Sequence, residues 1–203
     1  MQILNNIHPT VKKILSIIFS WVLIPILIVL FVQTFMFQAF YVEGNSMEPT
    51  LHNNDYVFTS KVGLNLHRLV GFISPNLPLK RGEIIVFKLA NYDGPPLIKR
   101  VVGLPGERVV VSGGKVTIYN KESPNGLTLK ETYIDPSYPT EGEIDSKVNQ
   151  GQVFVLGDNR APGASLDSRI FGPVNETQIY GKALLRLLPI HTFTTLENVS
   201  YAP

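Results

Sequence analysis

The sequence contains no cysteine, so it can form neither a disulfide framework nor a thiolate metal site. Its four histidines are scattered, at His8, His52, His67 and His191, and no two have the spacing of metal ligands. The net charge is only +2 and no cluster of basic residues occurs, which argues against nucleic acid as a partner. We therefore expect a protein that uses no metal or other cofactor and binds no nucleic acid.

The sequence also lacks charge over one long stretch, because no Asp, Glu, Lys or Arg occurs between Ile14 and Val42. Residues 14–37, ILSIIFSWVLIPILIVLFVQTFMF, are almost continuously apolar, and about 20 such residues suffice for a helix to cross a bilayer. The run is longer than the apolar region of a cleaved signal peptide, and no A-x-A cleavage site follows it. It therefore predicts a retained, single transmembrane helix with a kink at Pro25.

Charges on the two sides of this helix predict its orientation. Lys12 and Lys13 precede it, whereas the first charged residues after it are Glu43 and Glu48. Positive residues favour the cytoplasmic side, so residues 1–13 should be cytoplasmic and the rest of the chain should lie outside, with the lipid bilayer as a partner. We expect the cell membrane, or the thylakoid membrane in a cell that has one.

The chain after the helix is mostly β in pattern. Apolar and polar residues alternate in short runs that turn residues separate, which is typical of antiparallel strands. We predict an antiparallel β-rich domain over residues 40–190, with strands near 55–62, 83–89, 97–102, 108–111, 115–119 and 152–156. The run VVVSGGKVTIY predicts a hairpin that turns at Gly113 and Gly114.

Four other segments are less regular. Residues from about 105 to 150 should form a small inserted lobe, made of this hairpin and of loops rich in Pro, Gly and Asn. Residues 69–79 are apolar with basic edges, which fits either contact with lipid or an ordinary buried loop. Residues 181–190 should pack on the core as a strand or a short helix, and residues 191–203 should form a loose polar tail.

A serine follows the apolar helix within a stiff turn. Ser46 lies in EGNSMEPTL, between Gly44 and Pro49, and apolar residues flank the turn. Such a serine often serves only the turn, by bonding a backbone group. A nucleophilic role needs two further groups, a base and a donor that stabilises an oxyanion.

Lys99 is the best candidate for the base. In PLIKRVVGLPGE, alternation puts Leu97, Lys99 and Val101 on one strand face, so the lysine points inward without a carboxylate neighbour. Burial disfavours the ammonium form and lowers the pKa of a lysine. A neutral amine can then take the proton of a serine hydroxyl.

Two alternatives to this base remain open. Lys99 could simply lie on apolar surface with its amine in water, as we expect for Lys88. A Ser-His-Asp arrangement is also conceivable, since His52 is six residues after Ser46 and Asp55 could orient the imidazole.

A third polar segment, GDNRAPGASLDSRIFGPV, begins at Gly157 directly after an apolar strand. Loops at strand ends often display functional groups. Asp167 and Arg169 are spaced to pair, and Ser165 and Ser168 could each orient a neutral amine through a hydroxyl. By itself, Gly-Asp-Asn is equally typical of an ordinary turn.

Taken in order, EGNSMEPTL, DYVFTSKV, RGEIIVFK, IKRVVGLPGE and GDNR with SLDSRIFGPV resemble the type I signal peptidase family. The resemblance covers residues 41–188, with the anchor in the expected place. It implies a membrane-anchored serine endopeptidase with a Ser-Lys dyad and no cofactor. Its substrates would be exported preproteins, cut after small residues at Ala-x-Ala sites, and the protein-export translocon would be a further partner.

The resemblance also implies roles for individual residues. Ser46 would be the nucleophile and Lys99 the general base. Ser165 would position the base, with Asp167 and Arg169 as a supporting pair. Four apolar residues would line shallow pockets for the small side chains before the cut, namely Phe40, Val42, Leu51 and Ile98.

Two positions depart from the family pattern. Some members have a hydroxyl residue two places before the nucleophile, whereas this chain has Gly44, so the oxyanion would rest on the Ser46 backbone N–H and another group. Four residues separate Arg160 from Ser165 where the family commonly has two, and Ser168 is therefore the alternative partner of the base.

Two other functions fit parts of the sequence. Ser-Lys autoproteases of the SOS repressor type share the chemistry, but they are soluble and bind DNA, which the apolar helix argues against. A membrane-anchored β-domain that binds secreted or envelope proteins without catalysis fits the same architecture. Only a peptidase should lose its function while keeping its fold when alanine replaces Lys99.

Overall fold

The computed structural model describes residues 9–70, 79–196, 199 and 201. Its N-terminal part is one long helix, made of α1 (Pro9–Ile18), a wider π-helical turn (Phe19–Leu23) and α2 (Ile24–Phe35). With 27 residues, this helix is long and apolar enough to cross a membrane, and none of its apolar window is buried against the protein. Nearly all of its described apolar side chains are exposed, as a helix in contact with lipid requires.

The π-helical turn lies directly before Pro25, where the sequence predicts a kink. Pro25 has no N–H, and in an α-helix its ring would press on the carbonyl four residues earlier, that of Trp21. In the structure, the Ile24 N–H bonds to the Phe19 carbonyl, five residues back. The helix thus accommodates the proline by widening one turn.

The domain that follows is built on an eight-stranded sheet of antiparallel pairs, which confirms the predicted fold class. Its strands are β1 (Phe37–Tyr41), β2 (Tyr56–Ser60), β3 (Ile84–Phe87), β4 (Leu97–Gly103), β9 (Gln152–Leu156), β10 (Val174–Asn175), β11 (Ile179–Leu188) and β12 (Thr194–Thr195). Their order is β1-β2-β11-β3-β4-β9-β10, with β12 on β11. Central strands β3, β4 and β9 are buried along nearly their whole length, so they contribute to cores on both faces.

A smaller sheet lies between β4 and β9 in the chain and forms the inserted lobe. Its strands β5 (Arg108–Ser112), β6 (Lys115–Tyr119), β7 (Leu127–Thr128) and β8 (Ile144–Lys147) are ordered β7-β6-β5-β8. The β5–β6 hairpin turns at Gly113 and Gly114, whose φ angles of +56° and +77° favour glycine. Apolar side chains of the hairpin pack against Phe154 and Leu156 of β9, which joins the lobe to the main sheet.

Several elements differ from the sequence expectations. The helix predicted for residues 14–37 ends at Phe35, and the next residues form the edge strand β1. A helix, α3 (Val62–Val70), follows β2 where the sequence pattern predicts none. Most of segment 69–79 lies outside the described residues, although Leu79 is buried. Residues 181–190 belong largely to β11, so the strand is the correct one of the two alternatives.

The predicted loose tail is wrong for the described part of residues 191–203. Thr194 and Thr195 pair with β11, and Tyr201 is only 9% exposed. Its ring packs edge-on against Tyr133 of the inserted lobe, and the two hydroxyl oxygens lie 2.8 Å apart. Burial of aromatic surface with a satisfied hydroxyl outweighs the polar composition of this segment.

Candidate active site

Ser46 lies in the connection between β1 and β2, the Ser46 loop (residues 42–55). The base of the loop is closed by the Val42 N–H, which donates to the Asp55 carbonyl at 2.8 Å. Met47 and Leu51 are 1% and 0% exposed and anchor the loop in the core. The apolar residues that flank the serine in the sequence therefore fix the loop from below, and Ser46 itself stays partly exposed.

Lys99 lies in the middle of β4 and is only 2% exposed. Its amine donates hydrogen bonds to Ser46 Oγ at 2.6 Å and to the Ile98 carbonyl at 2.8 Å. Removal of the ammonium from water lowers the pKa of Lys99 to about 8, although the negative charges of Asp167 and Asp158 partly raise it. The structure thus brings a buried, readily deprotonated amine to the serine that the sequence singles out.

The alternative base, His52, is not assembled with its predicted partner. The His52 side chain is exposed. The Asp55 carboxylate accepts a hydrogen bond from the His52 backbone N–H at 2.8 Å and pairs with Arg186 at 3.4 Å. Asp55 therefore fixes the loop backbone and does not orient an imidazole.

Asp167 and Arg169 form the ion pair that their spacing predicts. They lie at the start of the short helix α4 (Ser168–Phe171), and two hydrogen bonds of 2.9 Å join their side chains. Asp167 is fully buried and also accepts the Gly157 N–H at 3.1 Å. Burial alone would raise the pKa of Asp167, but the hydrogen bonds and charge of Arg169 outweigh it and hold that pKa below its usual value.

Ser165 lies beside Ser46 without bonding the Lys99 amine. A Cβ added to Gly157 would come within 2.2 Å of Ser165 Oγ and within 2.5 Å of the Ser46 carbonyl oxygen. The Gly157 backbone is therefore in close contact with both the Ser165 hydroxyl and the Ser46 carbonyl group. The Ser165 hydroxyl is near enough to Asp167 to help lower the pKa of that carboxylate. Among the described residues, however, it makes no hydrogen bond of good geometry, with Lys99 or with any other group.

Ser168, the alternative partner of Lys99, uses its hydroxyl in a different hydrogen bond. Its hydroxyl accepts the Val155 N–H of β9 at 2.9 Å, and the residue is 3% exposed. Of the two serines, Ser165 is therefore the one that contacts the Gly157 backbone next to Ser46.

Sequence reasoning missed a buried ion pair next to Lys99. Arg100 is 1% exposed, and its Nε and Nη2 donate to the two carboxylate oxygens of Asp158 at 2.8 and 2.5 Å. Thr50 Oγ1 donates to the same carboxylate at 2.6 Å. The pair thus joins the Ser46 loop, β4 and the turn after β9. A charged residue inside an apolar strand was the available indication, but its distant partner could not be identified.

A second buried network ties the inserted lobe to the same turn. Arg160 is 2% exposed, and its guanidinium bonds Glu131 of the lobe at 2.5 and 2.9 Å. Its Nε donates to the Gly157 carbonyl at 2.8 Å, and Thr140 is a further partner. The long loop from Arg160 to Ser165 therefore starts from a fixed residue.

A cleft of about 330 Å³ opens beside Ser46 and Lys99. Two of the four residues expected to line substrate pockets, Val42 and Ile98, do line it. Leu51 is instead 0% exposed beneath the Ser46 loop, and Phe40 stacks on Tyr180 at 5.8 Å. The other lining residues are Glu43, Gly44, Met47, Tyr92, Pro95, Pro96 and Leu97.

Similar proteins are known for nearly the whole of this chain. Residues 15–188 match the family described as signal peptidase, peptidase S26. A signal peptidase I from Leptolyngbya laminosa is 36% identical over 177 residues, which cover 83% of this chain and 77% of the relative. A signal peptidase I from Bacillus caldolyticus is 30% identical over 177 residues, which cover 84% of this chain and 90% of the relative.

A solved structure is also similar. The crystal structure of a signal peptidase I from Enterococcus faecalis V583 is 30% identical in sequence to this chain. The matched part covers 51% of this chain and 94% of the crystallised chain, with a TM-score of 0.41. The family match spans the Ser46 loop, β4 and the polar segment after β9. The chain therefore belongs to the signal peptidase family, peptidase S26.

Proposed function

We propose that this chain is a membrane-anchored serine endopeptidase that cuts signal peptides from exported preproteins, with Ser46 as the nucleophile and Lys99 as the general base. Membership of the signal peptidase family supports removal of signal peptides. The observation that carries the assignment of the two residues is the 2.6 Å hydrogen bond between the Lys99 amine and Ser46 Oγ. Burial of the lysine, which favours the neutral amine, supports it further.

The lowered pKa of Lys99 makes the amine available as a base near neutral pH. With a pKa of about 8, about a tenth of the amine is neutral at pH 7, against about 0.03% for the ordinary value of 10.5. A pKa close to the working pH is what general-base catalysis requires.

The proposed reaction is acyl transfer in two steps. Lys99 takes the proton of Ser46 as the serine oxygen attacks the carbonyl carbon before the cut. The ammonium then gives a proton to the leaving nitrogen as the C–N bond breaks, and the mature protein departs as an amine. Lys99 next deprotonates a water, whose attack breaks the ester on Ser46 and releases the signal peptide.

The Ser46 backbone N–H is the proposed donor to the oxyanion. Among the described residues it has no hydrogen-bond partner, so it is available to a substrate oxygen. Gly44 brings no hydroxyl to the site, and its N–H donates to Asn53 Oδ1 at 2.8 Å. That bond fixes the backbone two residues before the nucleophile.

Ser165 is the proposed positioning residue for the Lys99 amine. Its buried hydroxyl lacks a hydrogen bond of good geometry within the described chain, and such a group gains free energy by bonding a nearby amine. Ser168 is less suited, because its hydroxyl bonds β9. Asp167, held by Arg169, supports this arrangement through its hydrogen bond to Gly157.

The proposed substrates carry small residues at the first and third positions before the cut, as in Ala-x-Ala. The cleft of about 330 Å³ beside Val42 and Ile98 suits small side chains. Leu51 and Phe40 would shape its walls from behind, since neither lines it directly. An extended preprotein segment would add beside the site by backbone pairing.

The N-terminal helix is the proposed anchor, with residues 1–13 in the cytoplasm and the catalytic domain, residues 40–190, outside the cell membrane or the thylakoid membrane. The helix holds the catalytic serine close to the bilayer, where a preprotein is itself held by its signal peptide. Confinement of both to one surface raises the local concentration of the cleavage site. The export translocon, which delivers preproteins, is a further proposed partner.

The test is cleavage of a preprotein with an Ala-x-Ala site by the purified, detergent-solubilised chain. Ser46→Ala and Lys99→Ala should each abolish cleavage, whereas Lys88→Ala should retain it. Circular dichroism checks that every variant is folded. Equal loss in all three variants would refute the role of Lys99, and no cleavage by the folded wild type would favour a non-catalytic binding domain.

A further inference from the structure

A second cleft borders the Ser46 loop, at the edge next to the inserted lobe. It measures about 430 Å³ and is called the lobe cleft here. Glu48 and Pro49 of the Ser46 loop line one side, and Tyr133, Asp135 and Tyr138 of the lobe line the other. The cleft beside Lys99, by contrast, is lined by loop residues from Val42 to Met47. The two clefts therefore adjoin successive parts of one loop, and Ser46 lies close to the boundary between them.

Asn159 fixes the wall of the lobe cleft directly to the nucleophile. Its backbone N–H donates to the Ser46 carbonyl at 3.1 Å, and its side-chain amide donates to the Asn45 carbonyl at 3.0 Å. Asn159 itself lines the lobe cleft. A peptide that leaves Ser46 on this side would therefore enter a preformed space.

We propose that the lobe cleft binds the first residues of the mature protein, those just after the cut, and favours basic over acidic side chains there. The inference rests on the proposed function, because an endopeptidase must hold its substrate on both sides of the bond that breaks. Val42 and Ile98 line the cleft assigned to the residues before the cut. The chain beyond the cut then runs along Glu48 and the lobe.

The charge preference follows from the lining of the lobe cleft. Asp158 and Arg160 are both neutralised by buried partners of opposite charge. The Glu48 carboxylate has neither a hydrogen bond nor an ion pair within the described part of the chain. Asp135 is exposed, and its carboxylate accepts the Ser137 N–H at 2.8 Å, while no described residue forms an ion pair with it. Two uncompensated carboxylates attract a basic side chain and repel an acidic one.

The test compares two preproteins that share one Ala-x-Ala site and differ only in the second residue after the cut, Lys or Glu. The full-length chain in detergent should cleave the Lys substrate with a kcat/KM about two- to fivefold higher, the size typical of a pair of exposed charges. Glu48→Gln should bring the ratio towards one, and Glu48→Lys should reverse it. Salt should weaken the wild-type preference, because ions screen exposed charges.

Glu43→Lys is the matched control, since Glu43 is another carboxylate of the Ser46 loop and lies three residues before Ser46, on the other cleft. The overall cleavage rate of Glu43→Lys can differ from that of the wild type. The ratio of its kcat/KM for the Lys substrate to its kcat/KM for the Glu substrate should equal the wild-type ratio. If Glu48→Lys and Glu43→Lys both reversed the substrate preference, the preference would come from the overall electrostatic field of the loop, and the inference would be overturned. An unaltered ratio in folded Glu48→Lys would also overturn it. No cleavage of either preprotein by the wild type would instead remove the proposed function on which the inference rests.

Discussion

Burial of Lys99 destabilises the folded state and, at the same time, favours the reactive neutral form of its amine. Its pKa falls from 10.5 to about 8, and a pKa change of one corresponds to about 1.4 kcal/mol. At pH 7 the amine is mostly protonated in both the folded and the unfolded chain, so the folded state carries a penalty of about 3 kcal/mol at this position. The same burial that imposes the penalty favours the neutral amine that the proposed mechanism requires.

We predict that Lys99→Met abolishes cleavage and raises the free energy of unfolding at pH 7 by about 1–3 kcal/mol. Methionine fills a similar volume without a buried charge, while the two hydrogen bonds of the amine are lost. Below about pH 8 the amine is protonated in both the folded and the unfolded chain and the penalty is complete, whereas above about pH 10.5 it is neutral in both and the penalty vanishes. The advantage of the variant should therefore shrink as pH rises from about 8 to 10.5.

Urea unfolding at pH 7 and at pH 10 measures both effects. Lys88→Met is the control, because Lys88 is a half-buried lysine next to β3 and has no contact assigned to the site. A variant of Lys99 that is less stable than the wild type at pH 7 would contradict the account of the buried ammonium.

The pH dependence of cleavage should follow the same amine. The kcat/KM should rise through about pH 8, since the neutral form of Lys99 is the proposed base. Asp167→Asn should move this rise to lower pH, because the charge of Asp167 favours the ammonium and Arg169 would remain. The profile from pH 6 to 10 is the measurement, with Asp145→Asn as the control at a solvent-exposed ion pair. A rise near pH 6.5 would point to a histidine and return attention to His52.

At the residue scale, the sequence predicts what is local and misses what is distant. Ser46 stands out by its turn, and Lys99 by its apolar neighbours on one strand. Asp167 and Arg169 are two residues apart, so their pairing can be inferred from spacing. The Arg100–Asp158 pair joins residues 58 positions apart, and only the fold brings them together.

At the scale of elements, this ion pair holds three segments in register around the site. Asp158→Ala should lower the free energy of unfolding by about 3–5 kcal/mol, because Arg100 would stay buried without a counter-charge. Urea denaturation of the purified chain measures the change. Asp145→Ala, which removes an exposed partner of Arg108, should have a much smaller effect. Equal losses in the two variants would show that burial does not set the strength of these pairs.

Six strands follow from the sequence because alternation of apolar and polar residues is a local pattern. Edge strand β1 continues an apolar run, so no change of period marks its start. Strands β7, β10 and β12 have two residues each, too few to show a period. The place of β11 between β2 and β3 depends on long-range pairing, which no local pattern encodes.

At the scale of the whole molecule, Lys61 and the helix α3 that follows it link the N-terminal helix to the β domain. The Lys61 backbone N–H donates to the Met36 carbonyl at 2.8 Å, and the Lys61 amine reaches the Thr34 carbonyl at 3.3 Å. Asn65 Nδ2 donates to the Phe35 carbonyl at 2.7 Å. The last carbonyls of the helix, which lack partners within it, are thus satisfied by the domain. We expect the domain to keep a fixed orientation relative to the N-terminal helix.

The absence of cysteine makes the orientation of the chain measurable with single introduced thiols. Glu122 is exposed in the inserted lobe, and Thr10 is exposed near the start of the N-terminal helix, before Lys12 and Lys13. In intact cells, a maleimide that cannot cross membranes should label Glu122→Cys and leave Thr10→Cys unlabelled. The physical reason is the positive charge before the helix, which favours retention of the N-terminus in the cytoplasm.

The two variants control for each other, because both should react fully once detergent opens the membrane. Preprotein cleavage should be unchanged in Glu122→Cys, which lies away from Ser46 and both clefts that border its loop. The reverse labelling pattern would place the catalytic domain in the cytoplasm, where exported preproteins have not yet crossed the membrane. Labelling of both cysteine variants in intact cells would show that the apolar helix does not span the bilayer. Another segment would then have to hold the enzyme at the membrane surface for it to be confined there with its substrate.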